Sequence, residues 1–226
     1  NFSGNANFLN QNTKSTKDNV NLNHIGLVLF SPAIRMKGQD TQRGVVSTVF
    51  GIAYNRNNDF TANFNYGGSN PNNSIVDYFG DLANSNGLTN GSVQKDAYDG
   101  YLLDQDDNGY FAATNVPNTQ KKSEIRSGST SELTASGAIN ISNQVYIGAS
   151  VSLVNVRYIN DSEFTESGTM TDNSKYNLSY RQNQESKGSG YNARLGIIVR
   201  PVENFRIGAT LQSPSWMLIE DNTSIV

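Results

Sequence analysis

The sequence predicts an all-β chain, an antiparallel transmembrane β-barrel of the outer-membrane type. Three observations carry that expectation. Apolar and polar residues alternate with a period of two, which places them on opposite faces of a strand. The apolar faces run for about ten residues, the length a tilted membrane strand needs. Tight turns alternate with very long connections, as short periplasmic turns alternate with extracellular loops in such barrels. The segment "QVYIGASVSLV" shows the alternation clearly, with Val145, Ile147, Ala149, Val151 and Leu153 opposite Tyr146, Gly148, Ser150 and Ser152. A soluble sandwich would bury the same greasy face against a second sheet.

In chain order, Phe2, Gly4, Ala6 and Phe8 alternate with Ser3, Asn5 and Asn7. "IGLVLF" follows, the longest apolar run and too short for a membrane helix. Val46, Thr48, Phe50, Ile52 and Tyr54 share the next face. Then "NRNND" (Asn55, Arg56, Asn57, Asn58, Asp59) interrupts, and Phe60, Ala62, Phe64 and Tyr66 resume in the same phase. Either a hairpin turn or a polar kink in one long strand fits this. The short second half favours the kink, giving seven strands rather than eight. Residues 67–131 read as a long loop in which Ile75, Val76, Tyr78, Phe79 and Leu82 have roughly helical spacing.

Further along, Leu133, Ala135, Gly137, Ile139 and Ile141 lead to the tight turn "SNQ" and the strand beginning at Val145. A second long loop is expected at 157–188. Tyr191 to Val199 and Phe205 to Leu211 then alternate around the turn "PVEN", with Arg194, Arg200 and Arg206 on the polar side.

The chain has 226 residues, 36% of them hydrophobic, and a mean hydropathy of -0.52. It can bury a core but is too polar for a bundle of membrane helices. Seventeen basic and 20 acidic residues give a net charge of -3. The cations are scattered, which argues against a nucleic-acid partner. No cysteine is present, so disulfide scaffolds and thiolate zinc sites are excluded. With neither a signal peptide nor an initiating Met, the reading is of a mature or trimmed product.

"NLNHIGLVLF", "VFGIAYNRNNDF", "SIVDYFGDLANSNG" and above all "SGYNARLGIIVRPVENFRIGATLQSPSW" resemble the Bacteroidetes branch of the FadL/TodX-type outer-membrane transporters for hydrophobic compounds. The resemblance spans essentially the whole chain. It implies a fourteen-stranded barrel plugged by an N-terminal hatch, with this chain supplying about half the barrel as a single domain, 1–226. The hatch would precede Asn1 and the remaining strands follow Val226. It further implies passive uptake of small hydrophobic, long-chain fatty acid-like compounds, captured by extracellular loops and released sideways into the membrane at a kink in the third strand. That kink corresponds here to Asn55–Asp59. The implied partners are a hydrophobic small molecule or lipid and the outer membrane itself, without a cofactor. A structural or shuttle subunit of an outer-membrane complex, such as a secretion machine, is the alternative, and would bring a protein partner.

The candidate capture groove comprises Ile75, Tyr78, Phe79, Leu82, Tyr101, Leu102, Tyr110, Phe111 and Phe164, with Tyr176 on the opposite lip. The same residues would also suit a self-packed lid. Arg194, Arg200 and Arg206 are lumen charges that need carboxylates of the barrel or hatch, or a ligand head group. Asp104, Asp106 and Asn108 match the start of a calcium loop, but Asn115 stands where a bidentate glutamate belongs. The one histidine, His24, reads as a strand residue, and no catalytic set accompanies it.

Overall fold

A computed structural model describes residues 2–9, 11–18 and 20–225. The dominant feature is an eight-stranded antiparallel sheet ordered β11-β10-β9-β8-β4-β3, with β5 also paired to β8 and β12 to β10. Its strands are β3 (His24–Pro32), β4 (Val45–Asp59), β5 (Ala62–Asn70), β8 (Asn118–Ile141), β9 (Val145–Thr169), β10 (Lys175–Val202), β11 (Phe205–Gln212) and β12 (Trp216–Ile225). A hairpin, β1 (Phe2–Phe8) and β2 (Gln11–Lys17), lies beside β5. Between β5 and β8 sits a small cap of α1 (Ile75–Asn86), α2 (Val93–Asp99), β6 (Leu103–Asp106) and β7 (Gly109–Ala112). No described helix is long and apolar enough to cross a membrane.

The two expected long loops are mostly strand. Residues 67–70 close β5 and 118–131 open β8, which leaves 71–117 for the cap. The second loop shrinks to the turn at 170–174, because β9 and β10 stay in one unbroken register from Val145↔Val199 to Thr169↔Lys175. Polar residues on both faces do not interrupt a ladder, since its main-chain hydrogen bonds are indifferent to side-chain polarity. Loss of apolar alternation marks the end of the greasy face, not the end of the strand.

On one face, here the open face, side chains align in rows across the sheet. Thr48, Ile139, Ile147, Ile197 and Ala209 form one row, and Phe50, Gly137, Ala149, Leu195 and Leu211 the next. Ile52, Ala135, Val151 and Ala193 follow, then Tyr54, Leu133, Leu153, Tyr191 and Trp216. Most of the large side chains in these rows are solvent-exposed: Leu195 is 62% and Val151 59% accessible. Beyond the aromatic row the character changes within two residues. Arg56, Ser131, Asn155 and Ser189, with exposed Leu218 at the β12 end, are followed by Asp59, Ser129, Arg157, Lys187 and Glu220. Higher still, Arg157 and Lys187 both bridge Glu185 at 2.9 Å, and Arg181 bridges Glu163 at 2.8 Å.

β4 and β5 pair successive stretches of β8 in one direction, so "NRNND" is not a hairpin turn. It contains a bulge: Arg56 faces Ser131 and Asn58 faces Thr130, leaving Asn57 as an extra residue. One extra residue reverses the pleat. The equal parity of Phe50 to Tyr54 and Phe60 to Tyr66 therefore does not put them on one face. The first set lies on the open face and the second on the opposite, capped face, where Phe60 meets Tyr158 edge-on at 5.5 Å. Further shifts occur at Val45/Ser47 against β8, at Val199/Val202 against β11, and at the other side of the sheet between β11 and β12. Leu211 pairs Leu195 whereas Trp216 pairs Tyr191, so Ser213–Ser215 also insert one residue.

Candidate functional site

The cap packs on the upper part of the capped face. Its core is Val76, Phe79, Ala83, Ala97 and Leu103, with Leu178 and Tyr180 of β10 beneath. Helical spacing brings Val76, Phe79 and Ala83 to one side of α1. Ser74 starts the helix: its hydroxyl accepts from Val76 N at 3.1 Å, and its own N–H donates to Asp77 at 2.9 Å. The Asn84 side chain bonds both main-chain groups of Tyr110, which fixes α1 to β7.

Of the expected groove residues, Phe79 is buried in this core, and Ile75, Leu102 and Tyr110 pack against it. Leu82 is half-buried. Tyr78, Tyr101 and Phe111 are exposed at 54%, 80% and 44%. Phe164 lies on the capped face, paired with Tyr180 of β10. The residues are brought together mainly as a self-packed cap rather than as an open groove, because a short helical segment must bury one face to be stable.

Glu166, which no sequence signal singled out, holds the cap to the wall. It is fully buried and accepts from Ile75 N at 2.9 Å, Gln120 Nε2 at 2.8 Å, the Tyr176 hydroxyl at 2.8 Å and the Ser74 hydroxyl. A carboxylate facing the first N–H groups of α1 also meets the positive end of the helix dipole. Tyr176 is thus part of this anchor rather than an opposite lip. Burial, reinforced by the hydrogen bond to Glu166, pushes its hydroxyl up to about 12.

A second polar centre sits on the capped face level with the aromatic row. Glu132, 4% exposed, receives Arg194 Nη2 at 2.8 and 3.1 Å, Asn57 Nδ2 at 3.1 Å and Asn192 Nδ2 at 3.3 Å. Arg194 also reaches Gln212 at 3.0 Å and Ser152 at 3.4 Å. Its counter-charge lies within this chain, two strands away on β8. Below Arg194 a depression of about 540 Å³ is lined by Ala138, Tyr146, Gly148, Gly196, Ile198 and Gly208. Arg200 donates to the Glu203 carbonyl at 3.1 Å. Among the described residues neither Arg200 nor Arg206 enters an ion pair.

The expected opening has identifiable geometry. β3 pairs with β4 only as far as His24↔Asn55, and Arg56 N reaches Asn23 O at 2.8 Å. His24 Nδ1 lies 2.5 Å from Asn55 Oδ1, so the histidine serves as a strand-end contact. Above that level β5 lies beside the β1–β2 hairpin through Ser15 Oγ, which accepts from Asn65 N at 3.2 Å, and through Phe8 and Tyr66 at 5.2 Å. No ladder joins the two among the described residues. Gly128 faces the end of β4 with φ +112, and a Cβ there would fall 2.0 Å from the Arg157 carbonyl oxygen. Only glycine fits this backbone.

Asp104 lies within β6, opposite Phe111, while Asp106 and Asn108 are at the tip of the β6–β7 hairpin, where Asp106 accepts from Asn108 N at 2.7 Å. No group of three or more acidic, histidine or cysteine residues among the described ones is arranged to hold a metal ion. Compared with protein-family models, curated proteins and solved structures, the chain shows no match.

Proposed function

We propose that this chain is part of the wall and cap of an outer-membrane barrel that passively admits small hydrophobic compounds. The observation that carries the reading is the apolar band on the open face, closed above by Tyr54, Tyr191 and Trp216 and then by a charged belt. From Val145 to Leu153 the band covers about 27 Å along the strand. At the usual tilt that becomes about 21 Å of height, approaching the apolar band of outer-membrane barrels, about 25 Å. Such a surface in water would aggregate; against hydrocarbon it needs no cover. The capped face then becomes the lumen, and its polar residues contact water or ligand.

In this reading an apolar compound lands on exposed Tyr78, Tyr101 and Phe111, descends along the capped face, and leaves sideways at Asn55–Asp59, where β3 ceases to pair. The break lies at the upper rim of the apolar band, so the exit opens at the outer-leaflet boundary. An apolar solute gains free energy only by entering hydrocarbon, so no nucleotide is required. The same exposed aromatics, set among Asp81, Asp104, Asp106 and Asp107 while the cap's core is already filled, favour a second reading. In it the cap docks a protein partner of an outer-membrane complex.

Mass spectrometry of the full-length protein extracted from native membranes in mild detergent separates the two. A recurring apolar compound, lost when Tyr78, Tyr101 and Phe111 are replaced by serine, is the expected outcome. A stoichiometric protein without a small molecule would overturn uptake in favour of docking.

A further inference from the structure

Two of the places where the wall gains an extra residue are tied together by one carboxylate. Asn57 is the inserted residue of β4, and Ser213–Ser215 carry the insertion between β11 and β12. They flank the sheet on opposite sides of β8, β9 and β10 at one level. Asn57 Nδ2 donates to Glu132 Oε2, and Asn192 Nδ2 donates both to Glu132 Oε1 and, at 3.2 Å, to Ser215 Oγ. Arg194 clamps both oxygens of Glu132 and so fixes the rotamer that reaches each partner. Asn192 is 2% exposed and its Oδ1 has no partner, so its orientation is set by the two donated bonds alone.

We infer that Glu132 is a latch: it holds the bulge of β4 closed and couples it, through Asn192, to the insertion at Ser213–Ser215. The physical reason lies in what a bulge lacks. An inserted residue has no ladder partner, so Asn57 is held by its side chain, and the bond to Glu132 supplies that hold. At the other insertion Ser213 is held to β10 by its N–H and its hydroxyl, both on Ala193, but Pro214 has no N–H to give, so Ser215 relies on Asn192. Remove the carboxylate and both irregular segments lose their shared fixed point, whereas the regular ladders of β8, β9 and β10 keep theirs. This inference rests on the lateral-release reading only for its consequence, namely that unlatching widens the exit at Asn55–Asp59.

Hydrogen exchange on the full-length protein in detergent tests the latch without any transport assay. In E132A, which removes both acceptor oxygens, exchange of the amides at 56–61 and at 215–216 should rise together by about tenfold, as expected for a buried group losing its partner, while those of 145–153 stay unchanged. E132Q keeps one acceptor oxygen, so it should loosen one of the two segments more than the other. Retention of heat-modifiable mobility on gels establishes that each variant has folded. If E132A leaves either segment as protected as in the parent, the latch is wrong. If both segments loosen yet uptake of an apolar dye into proteoliposomes is unaltered, the latch stands and lateral release at Asn55–Asp59 falls.

Discussion

At the residue scale, buried carboxylates organise the molecule. Glu166 and Glu132 are each almost inaccessible, yet neither is stranded, since each accepts hydrogen bonds from at least three groups. Multiple donors are what make a buried carboxylate tolerable. Tyr176 gives the Glu166 anchor a pH signature. Its hydroxyl is raised to about 12 against about 10 in an unfolded chain, so the folded state binds the extra proton between those values. Cap docking should therefore be insensitive to this group below pH 10 and weaken as pH climbs towards 12. Ultraviolet titration of tyrosinate, followed together with exchange at α1, should show a late-ionising tyrosine whose loss of proton coincides with cap release. Tyr176→Phe should remove that step, and an unchanged titration would refute the assignment.

At the element scale, a single inserted residue breaks the link between a residue's parity in the sequence and the face it takes. Beyond Asn57, Phe60, Phe64 and Tyr66 lie on the capped side, where Phe60 meets Tyr158 and Arg126 lies 5.2 Å above Phe64. Deleting Asn57 should leave those faces as they are, because Arg56↔Ser131 and Asn58↔Thr130 then become successive pairs of a regular ladder. The chain contains no cysteine, so the paired replacements Phe64→Cys and Glu124→Cys, opposite each other on neighbouring strands, report the register directly. They should cross-link on oxidation both in the parent and once Asn57 is removed. Loss of the cross-link on deletion would mean that the pairing of β5 with β8 depends on the inserted residue.

For the whole molecule, the open face carries the strongest consequence. If the band between the Thr48 and Tyr54 rows faces hydrocarbon, Val151→Arg near its middle should cost about 2–4 kcal/mol of stability in lipid vesicles. Ile159→Arg, on the same face but beyond the Arg157 and Lys187 row, should cost close to nothing. Urea unfolding of the full-length protein in phosphatidylcholine vesicles measures both, and equal penalties would remove the basis for a membrane-facing wall.

Much of this architecture was legible in the sequence because it depends on local periodicity. The two-residue alternation around Val145–Leu153, Tyr191–Val199 and Phe205–Leu211, the tight turns at 142–144 and 201–204, and the helical spacing from Ile75 to Leu82 are properties of neighbouring residues. Each appears in the structure as strand, turn or helix. What tertiary structure decided is what local pattern cannot encode. The length of β9 and β10 depends on each strand having a partner beside it, not on its own polarity. The face taken by Phe60 to Tyr66 depends on where β4 gains a residue relative to β8. The neutralisation of Arg194 by Glu132, and the joining of Ser74, Gln120, Glu166 and Tyr176, bring together groups far apart in the chain. Their contact exists only once the register across β8, β9 and β10 has been set.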